Sequence, residues 1–307
     1  MSESSTTVTN PRILIVGNAG QLGRELEKIF AGFGPIVGVD RESVDLADAA
    51  QTRELVHRAA PDIILNAAAY TAVDRAETER DLAYAINEQA PRVLAEEALL
   101  RNALFVHYST DYVFDGSKSS PWVESDVPNP LNVYGSSKLA GEQAVEGVGG
   151  KFLIFRTSWV YGPHGNNFLL TMLRLARERD RLSIVDDQIG GPTTSIELAR
   201  ATHLIVTGIL AGRFGAPQDW AGLYHMTCGG SVSWFGFAQA IFARAAQVLA
   251  VKPPALTPIT TKDYPTPAAR PRNSVLSNAK LHARFGVELV PWETALEEAL
   301  QVLRNLN

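Results

Sequence analysis

Arg12-Ile13-Leu14-Ile15-Val16-Gly17-Asn18-Ala19-Gly20-Gln21-Leu22-Gly23 is the stretch on which the reading of the fold turns. Its first five residues form a short apolar run closed by a glycine, the pattern of a strand buried in a parallel sheet. Leu22, Leu26, Ile29 and Phe30 then recur at helical spacing, so a helix follows at once. Three glycines at G-x-x-G-x-x-G join the two. Gly17 permits the tight turn. Gly20 lets the backbone approach a pyrophosphate, which the N–H groups and dipole of the helix N-terminus attract. Gly23 allows close packing of helix on strand. In a strand–turn–helix setting this loop reads as a dinucleotide cradle formed by Gly17, Asn18, Gly20, Gln21, Leu22 and Gly23.

Working outward, the alternation continues. Pro35–Val39 is a second apolar run, Ala47–Ala60 a helix, and Asp62–Ala68 a third strand. A long helical region covers Asp81–Leu100. Pro91 interrupts it, and Asn87 as an N-cap would place that proline in a first turn, where its missing N–H costs little. Leu104–Tyr108 and Lys151–Arg156 are further strands. This predicts an α/β fold, a doubly wound, Rossmann-like parallel sheet, with ligands outside the carboxyl ends of the strands. After Tyr161 the pattern loosens into a smaller α+β substrate-binding lobe. The expected division is 11–165 for dinucleotide binding, with 195–228 returning to it, and 166–194 with 229–307 for the lobe.

Composition narrows the functional classes. The chain has 307 residues, 46% hydrophobic and 20% charged, an ordinary globular mix. With 28 Lys+Arg against 33 Asp+Glu the formal charge is −5, so no basic excess points to nucleic acid or an anionic membrane. The single cysteine, Cys228, allows no internal disulfide and fits a reducing compartment. Met1–Asn10 is Ser/Thr-rich without an apolar core and reads as a disordered leader. No stretch has the apolar length of a membrane span. A cytoplasmic monomer or homodimer acting on a small molecule is the expectation.

Strand ends are then the place to look for chemistry. Asp40 closes the second strand about 20 residues after the glycines, where an acidic residue binds the adenosine ribose. Arg41 beside it suits a 2′-phosphate, so the pair leaves NAD and NADP both open; Asp45 and Leu46 complete this side of the expected cofactor site. Ala68, Ala69 and Tyr70, after the third strand, suit a dinucleotide lying across the sheet. Ser109-Thr110-Asp111 follows the fourth. Tyr134 and Lys138 stand four apart, on one face of a helix. A lysine charge there is expected to lower the phenol toward neutrality and fit it for proton exchange with a carbonyl or alcohol. His107 and His225 read as core or hydrogen-bonded histidines, and Cys228 as a buried small hydrophobe.

Taken together these residues resemble the extended short-chain dehydrogenase/reductase superfamily, and within it the dTDP-4-dehydrorhamnose reductase family. The similar segments are Gly17–Gly23, Asn66–Asp74, Ser109–Gly116, Tyr134–Lys138 with Leu139–Glu142, Arg156–Tyr161, Val185–Gly190 with Pro192-Thr193, and Arg270-Pro271 with Ser274. The resemblance implies an oxidoreductase of dTDP-rhamnose biosynthesis, serving cell-surface polysaccharide. NADPH, with NADH as the other candidate, would pass hydride to the C4 ketone of dTDP-4-dehydro-L-rhamnose. Tyr134 is implied as proton donor, Lys138 as its partner and a ligand of the nicotinamide ribose, and Thr110 as a hydrogen-bond donor to the carbonyl. Asp111, Trp159, Asn167 and Arg270 are the implied substrate contacts, with Phe168 beside Asn167. Some members of the family use Mg2+, but no ligand cluster with metal spacing stands in this sequence, and none is assigned. Two rival functions share much of the pattern. One is a nucleotide-sugar 4-epimerase or 4,6-dehydratase, which retains NAD. The other is a non-catalytic NADP-binding subunit resembling the regulatory subunit of methionine adenosyltransferase.

Overall fold

The computed structural model describes residues 10–306, so most of the proposed leader, residues 1–9, lies outside it. In chain order the elements that build the first half are β1 (Ile13–Val16), α1 (Gln21–Phe30), β2 (Ile36–Val39), α2 (Ala49–Ala59), β3 (Ile63–Asn66), α3 (Ala90–Leu100), β4 (Leu104–Thr110), α4 (Val133–Val148) and β5 (Phe152–Thr157). Those of the second half that matter to the site and its packing are α5 (Phe168–Glu178), α6 (Ser195–Leu210), β6 (Gly222–His225), α7 (Trp234–Val248), α8 (Ala279–Phe285) and α9 (Trp292–Leu306).

The sheet runs β2-β1-β3-β4-β5-β6, and every neighbouring pair is parallel. The chain leaves β1 for β2 on one side and returns to β3 on the other, so the strand order reverses between β1 and β3. That switch point is where a doubly wound sheet opens a crevice at its carboxyl edge. Both faces of the sheet are covered. Ile13, Leu14, Ile15 and Val16 are all at most 1% exposed, which is why the strand is continuously apolar instead of alternating. Ile13 and Ile15 face a core with α1 and α6 through Leu26, Phe30, Leu198 and Ile205. Leu14 and Val16 face the opposite core with Val56 of α2 and Leu94 of α3.

The stretch 195–228 supplies α6, packed on α1, and the edge strand β6 on β5. Within the stretch assigned to the second lobe, α8 sits on the main sheet: Leu281 and Phe285 join the core of β1 and α1. The separate lobe has its own core, where Leu169 of α5, Phe237 and Ile241 of α7, and Leu296 and Leu300 of α9 meet. Among the described residues no helix is long and apolar enough to cross a membrane.

Two local features position the site and differ from the sequence reading. The region Asp81–Leu100 is not one helix capped by Asn87. A helical turn at Arg80–Tyr84 passes through a π turn, Ala85–Gln89, into α3. Pro91 offers no N–H and its ring would press on the Asn87 carbonyl, so the wider π turn absorbs the misfit. Asn87 is thereby freed to hold the chain after β3. Its Oδ1 accepts the Tyr70 N–H at 2.8 Å, and its Nδ2 donates to the Tyr70 carbonyl at 3.1 Å and to Ser137 Oγ at 3.0 Å. Secondly, β4 extends through Ser109 and Thr110, which pair in register with Arg156 and Thr157 of β5.

A buried ion pair ties α4 to this edge. Arg156 donates from Nε and Nη2 to the two carboxylate oxygens of Glu142 at 2.9 and 2.6 Å, and Ser109 Oγ donates to the same carboxylate at 2.5 Å. The two side chains are 4% and 2% exposed, so neither charge has water to fall back on. Removing one partner of such a pair strands the other, at a cost of about 3–5 kcal/mol. Glu142→Leu is therefore expected to lower the unfolding free energy by about that amount in urea titration. A loss below ~1 kcal/mol would mean that Arg156 finds another partner.

Candidate active site

The glycine loop lies at the switch point. Gly17 has φ +87°, and a Cβ on it would meet Ala68 N at 2.8 Å, so only glycine lets the ends of β1 and β3 approach this closely. A Cβ on Gly23 would meet the Gly17 carbonyl at 2.1 Å, which seats α1 directly on the turn. Gly20 is the N-cap of α1 and has no side chain to cap it, leaving the first-turn N–H groups of the helix for an anion. Leu22 drops into the core, while Gln21 and Asn18 stay half-exposed. The cradle thus fits a dinucleotide phosphate by its backbone alone.

Around it, Asp40 ends β2. Its Oδ1 accepts the N–H groups of Glu42 and Ser43 at 3.0 and 3.2 Å, an Asx turn that shapes the loop. Arg41 is exposed next to it. Asp45 Oδ1 accepts the Ala47 N–H at 2.9 Å, and Leu46 packs against the core under α2. Ala68, Ala69 and Tyr70 are half-buried beside Gly17, and the Tyr70 hydroxyl donates to Glu79 at 2.5 Å.

Asn132 caps α4 by accepting the Gly135 N–H at 2.8 Å, which places Tyr134 in the first turn and Lys138 one turn on. Tyr134 lies edge-on to Tyr112, ring centroids 5.6 Å apart. Thr110 Oγ1 accepts the Tyr112 N–H at 3.2 Å and donates to Asp111 at 3.1 Å. Asp111 is 1% exposed; burial pushes its carboxyl up to about 6, against the hydroxyls of Ser274, Ser158 and Thr110.

The acidity of Tyr134 departs from expectation. Burial pushes the phenol up to about 12, with the Thr110 hydroxyl working the other way. Lys138 is not what lowers it. The lysine nitrogen donates to the Tyr108 carbonyl at 2.6 Å, and its own burial brings it down to about 8, which weakens the charge it can offer. The tyrosine is therefore protonated across the neutral range, the form that gives a proton away.

Trp159 has φ +45° and a ring half-buried, one face stacked on Trp234 with centroids 3.4 Å apart and planes 6° apart. Gly190 makes room for it, since a Cβ there would meet the indole at 2.4 Å. Asn167 caps α5, and its Nδ2 donates to Gln21 of the glycine loop at 2.9 Å. Phe168 packs on Trp234 and Phe237. Arg270 is held bidentately by Asp74, at 3.0 and 2.9 Å, across the cleft between the two halves. In the sequence Asp74 stands only within a family-like segment, and the 196 positions that separate it from Arg270 conceal the pairing. Trp234 carried no sequence signal at all. Among the described residues no group of three or more His, Cys, Asp or Glu is placed to hold a metal ion.

Comparison with known proteins bears on the family and the fold. The sequence model of a family described as RmlD substrate binding domain matches residues 11–305. A dTDP-4-dehydrorhamnose reductase of Burkholderia thailandensis is 48% identical over 289 residues, 93% of this chain and 96% of the relative. A crystal structure of the Clostridium acetobutylicum dTDP-4-dehydrorhamnose reductase superposes with a TM-score of 0.87 at 38% identity, over 95% of this chain and 99% of that one. The Bacillus anthracis enzyme of the same name, solved in complex with NADP, gives 0.85 at 37% identity, over 94% and 98%.

The cradle predicts a specific contrast. Gly17→Ala combines a left-handed backbone, worth ~1–3 kcal/mol of strain, with a collision at Ala68. It is expected to lower both the melting temperature and the affinity for NADPH. Gly32→Ala has a similar φ of +83° but open space around its Cβ, and should leave NADPH affinity intact. Equal NADPH affinities in fluorescence titration would show that the close approach at Gly17 does not shape the binding site.

Proposed function

The chain belongs to the dTDP-4-dehydrorhamnose reductase family, and on that premise we propose that it reduces the C4 ketone of dTDP-4-dehydro-L-rhamnose with NADPH, giving dTDP-L-rhamnose. The observation that carries the reading is that α4 lays the Tyr134 ring edge-on against Tyr112, whose N–H is accepted by Thr110 at the carboxyl edge of β4, two strands along the sheet from the glycine cradle. When bound, the nicotinamide supplies the hydride. The chain does the remainder. The backbone of Gly17–Gly23 and the N-terminus of α1 hold the pyrophosphate, with Asp40 or Arg41 at the adenosine ribose and Ala68–Tyr70 along the crevice. Thr110 hydrogen-bonds the ketone oxygen as negative charge develops there. Tyr134 gives its proton to that oxygen, completing a C4 hydroxyl, and a phenol protonated at neutral pH suits this direction. Asp111 holds the single Thr110 hydroxyl proton until the ketone oxygen, as it gains charge, takes that hydrogen bond over. Trp159 offers an apolar face to the sugar or base, stiffened from behind by Trp234. Asn167 and Arg270 act in this reading by holding the lobe to the cradle and to Asp74. The partner is a nucleotide sugar and the compartment the cytoplasm.

The deciding assay follows NADPH oxidation with dTDP-4-dehydro-L-rhamnose. Turnover, with purified protein free of retained nucleotide, is the expected result. Tight NAD retention would favour an epimerase or dehydratase, and NADPH binding without turnover a regulatory subunit. Within that assay Tyr134→Phe should slow reduction ~10²–10⁴-fold, a general acid's contribution, and leave NADPH affinity unchanged. Wild-type turnover in the variant would exclude Tyr134 as the acid. Asp40→Asn keeps the acceptor of the Asx turn and removes the charge, so the ratio of NADPH to NADH efficiency should rise; a fall, or no change, would mean that Asp40 does not face the ribose. Trp159→Ala should raise KM for the nucleotide sugar about tenfold or more, on the ~1–3 kcal/mol scale of an aromatic stack. A large drop in melting temperature with unchanged KM would assign the indole to packing alone.

A further inference from the structure

Asp111 follows β4 directly and is 1% exposed, and its partners are hydroxyls instead of cations. A carboxylate shut away from water is costly unless its oxygens are bonded. Each of the two takes a hydroxyl. Thr110 Oγ1 donates to Oδ1 at 3.1 Å, and Ser158 Oγ donates to Oδ2 at 2.8 Å. Ser158 is itself 1% exposed. It stands immediately after β5, the strand that pairs with β4 through Thr110 and Thr157, so its bond crosses from one strand end to the next.

The two hydroxyls differ in what the reaction asks of them. Each has a single proton. Thr110 passes its hydrogen bond to the ketone oxygen as charge develops there, and Oδ1 then loses a donor. Nothing calls on the Ser158 proton, which stays on Oδ2 through the exchange. That matters because burial pushes the Asp111 carboxyl up to about 6, with the hydroxyls of Ser274, Ser158 and Thr110 working the other way. The titratable groups that face it are Tyr112, next in the chain, and Tyr134 from α4. Burial raises both phenols, so neither brings a charge near neutral pH. Ser158 also precedes Trp159, whose φ of +45° is a backbone that persists only where its neighbours hold it. The Ser158 bond fixes the chain before the indole, and the Trp159 carbonyl accepts the Thr193 N–H at 3.3 Å after it.

We propose that Ser158 is a positioning residue for the reduction: its hydroxyl keeps the Asp111 carboxylate ionised and fixed in place while the ketone takes over the Thr110 hydrogen bond, and it anchors the turn that carries Trp159. The proposal rests on the reading of Thr110, Asp111 and Trp159 as contacts of the nucleotide sugar. An ionised Asp111 is an acceptor at both oxygens, free to take a sugar hydroxyl where Thr110 has left. A protonated one turns one oxygen into a donor and gives up that role.

The first readout needs no turnover. In protein labelled with carbon-13 at the aspartate carboxyls, the Asp111 resonance is the one missing from Asp111→Asn, and it should titrate at about 6. In Ser158→Ala its midpoint should rise by ~1 unit or more, because a hydrogen bond to the charged form is lost. Ser158→Thr keeps the hydroxyl and should titrate close to the unaltered chain. A midpoint that stays put in Ser158→Ala while the melting temperature falls, or that rises as far in Ser158→Thr, would overturn the proposal and reduce Ser158 to packing. The second readout is kcat/KM for dTDP-4-dehydro-L-rhamnose against pH at saturating NADPH, whose acidic limb reports essential groups of the enzyme before the sugar binds. That limb should move up with the carboxyl midpoint in Ser158→Ala, since the ionised form is the one in use. A limb that stays in place while the resonance shifts would also overturn the proposal. Conversely, the expected carboxyl shift in a protein that oxidises no NADPH at any pH would overturn the functional reading and leave the bond from Ser158 to Asp111 standing.

Discussion

The buried pairing of Glu142 with Arg156 is the interaction on which the site depends. Glu142 belongs to α4, the helix that presents Tyr134 and Lys138; Arg156 belongs to β5; and Ser109, which completes the carboxylate's partners, precedes Thr110 on β4. One carboxylate therefore sets the height and rotation of a helix against two strands. With water excluded, the geometry has to be satisfied by these partners, and the helix has no freedom to slide without breaking charged hydrogen bonds. The placement of the Tyr134 ring against Tyr112, just past Thr110, follows from that restraint.

A second set of contacts joins the halves of the molecule around the same point. Asn167 caps α5 and reaches Gln21 in the glycine loop, and Asp74 clasps Arg270. Asn132, besides capping α4, donates to the Ala269 carbonyl at 2.8 Å. Each is a polar side chain that sends at least one hydrogen bond to a distant stretch of the chain, beside its local ones. Trp234 joins Trp159 and Phe168 in one aromatic group. The lobe is thus held to the sheet by short polar links at several places instead of by one continuous core, which leaves the carboxyl edge of β4 and β5 lined with groups from both halves.

The fold was legible where the signal was local. Short, mainly apolar runs mark β1 to β5, and Gly17, Gly20 and Gly23 announce the cradle with the role of each one readable from its spacing. The π turn at Ala85–Gln89 was not legible, because Pro91 permits several accommodations and the choice among them came from Asn87 bonding Tyr70 and Ser137. The placement of α8 on the main sheet was hidden for a similar reason: Leu281 and Phe285 are apolar in any arrangement, and only the packing decides which core receives them.

At the site the division is sharper. The sequence by itself determined which side chains are present and, through helical spacing, that Tyr134 and Lys138 share a face. It also determined that Thr110 lies at a strand end. What only the tertiary structure decided is how those groups are charged and to what they are bonded. Tyr134 was expected to be lowered by Lys138, yet burial raises it, while Lys138 turns to the Tyr108 carbonyl and to His107, 31 positions away. Arg270 is matched to Asp74, and Trp159 to Trp234, across still longer stretches of chain. The physical reason is that spacing along a helix or strand is a short-range property of the backbone. Desolvation and hydrogen-bond partnership depend on which distant segments the packing brings to within a few ångströms.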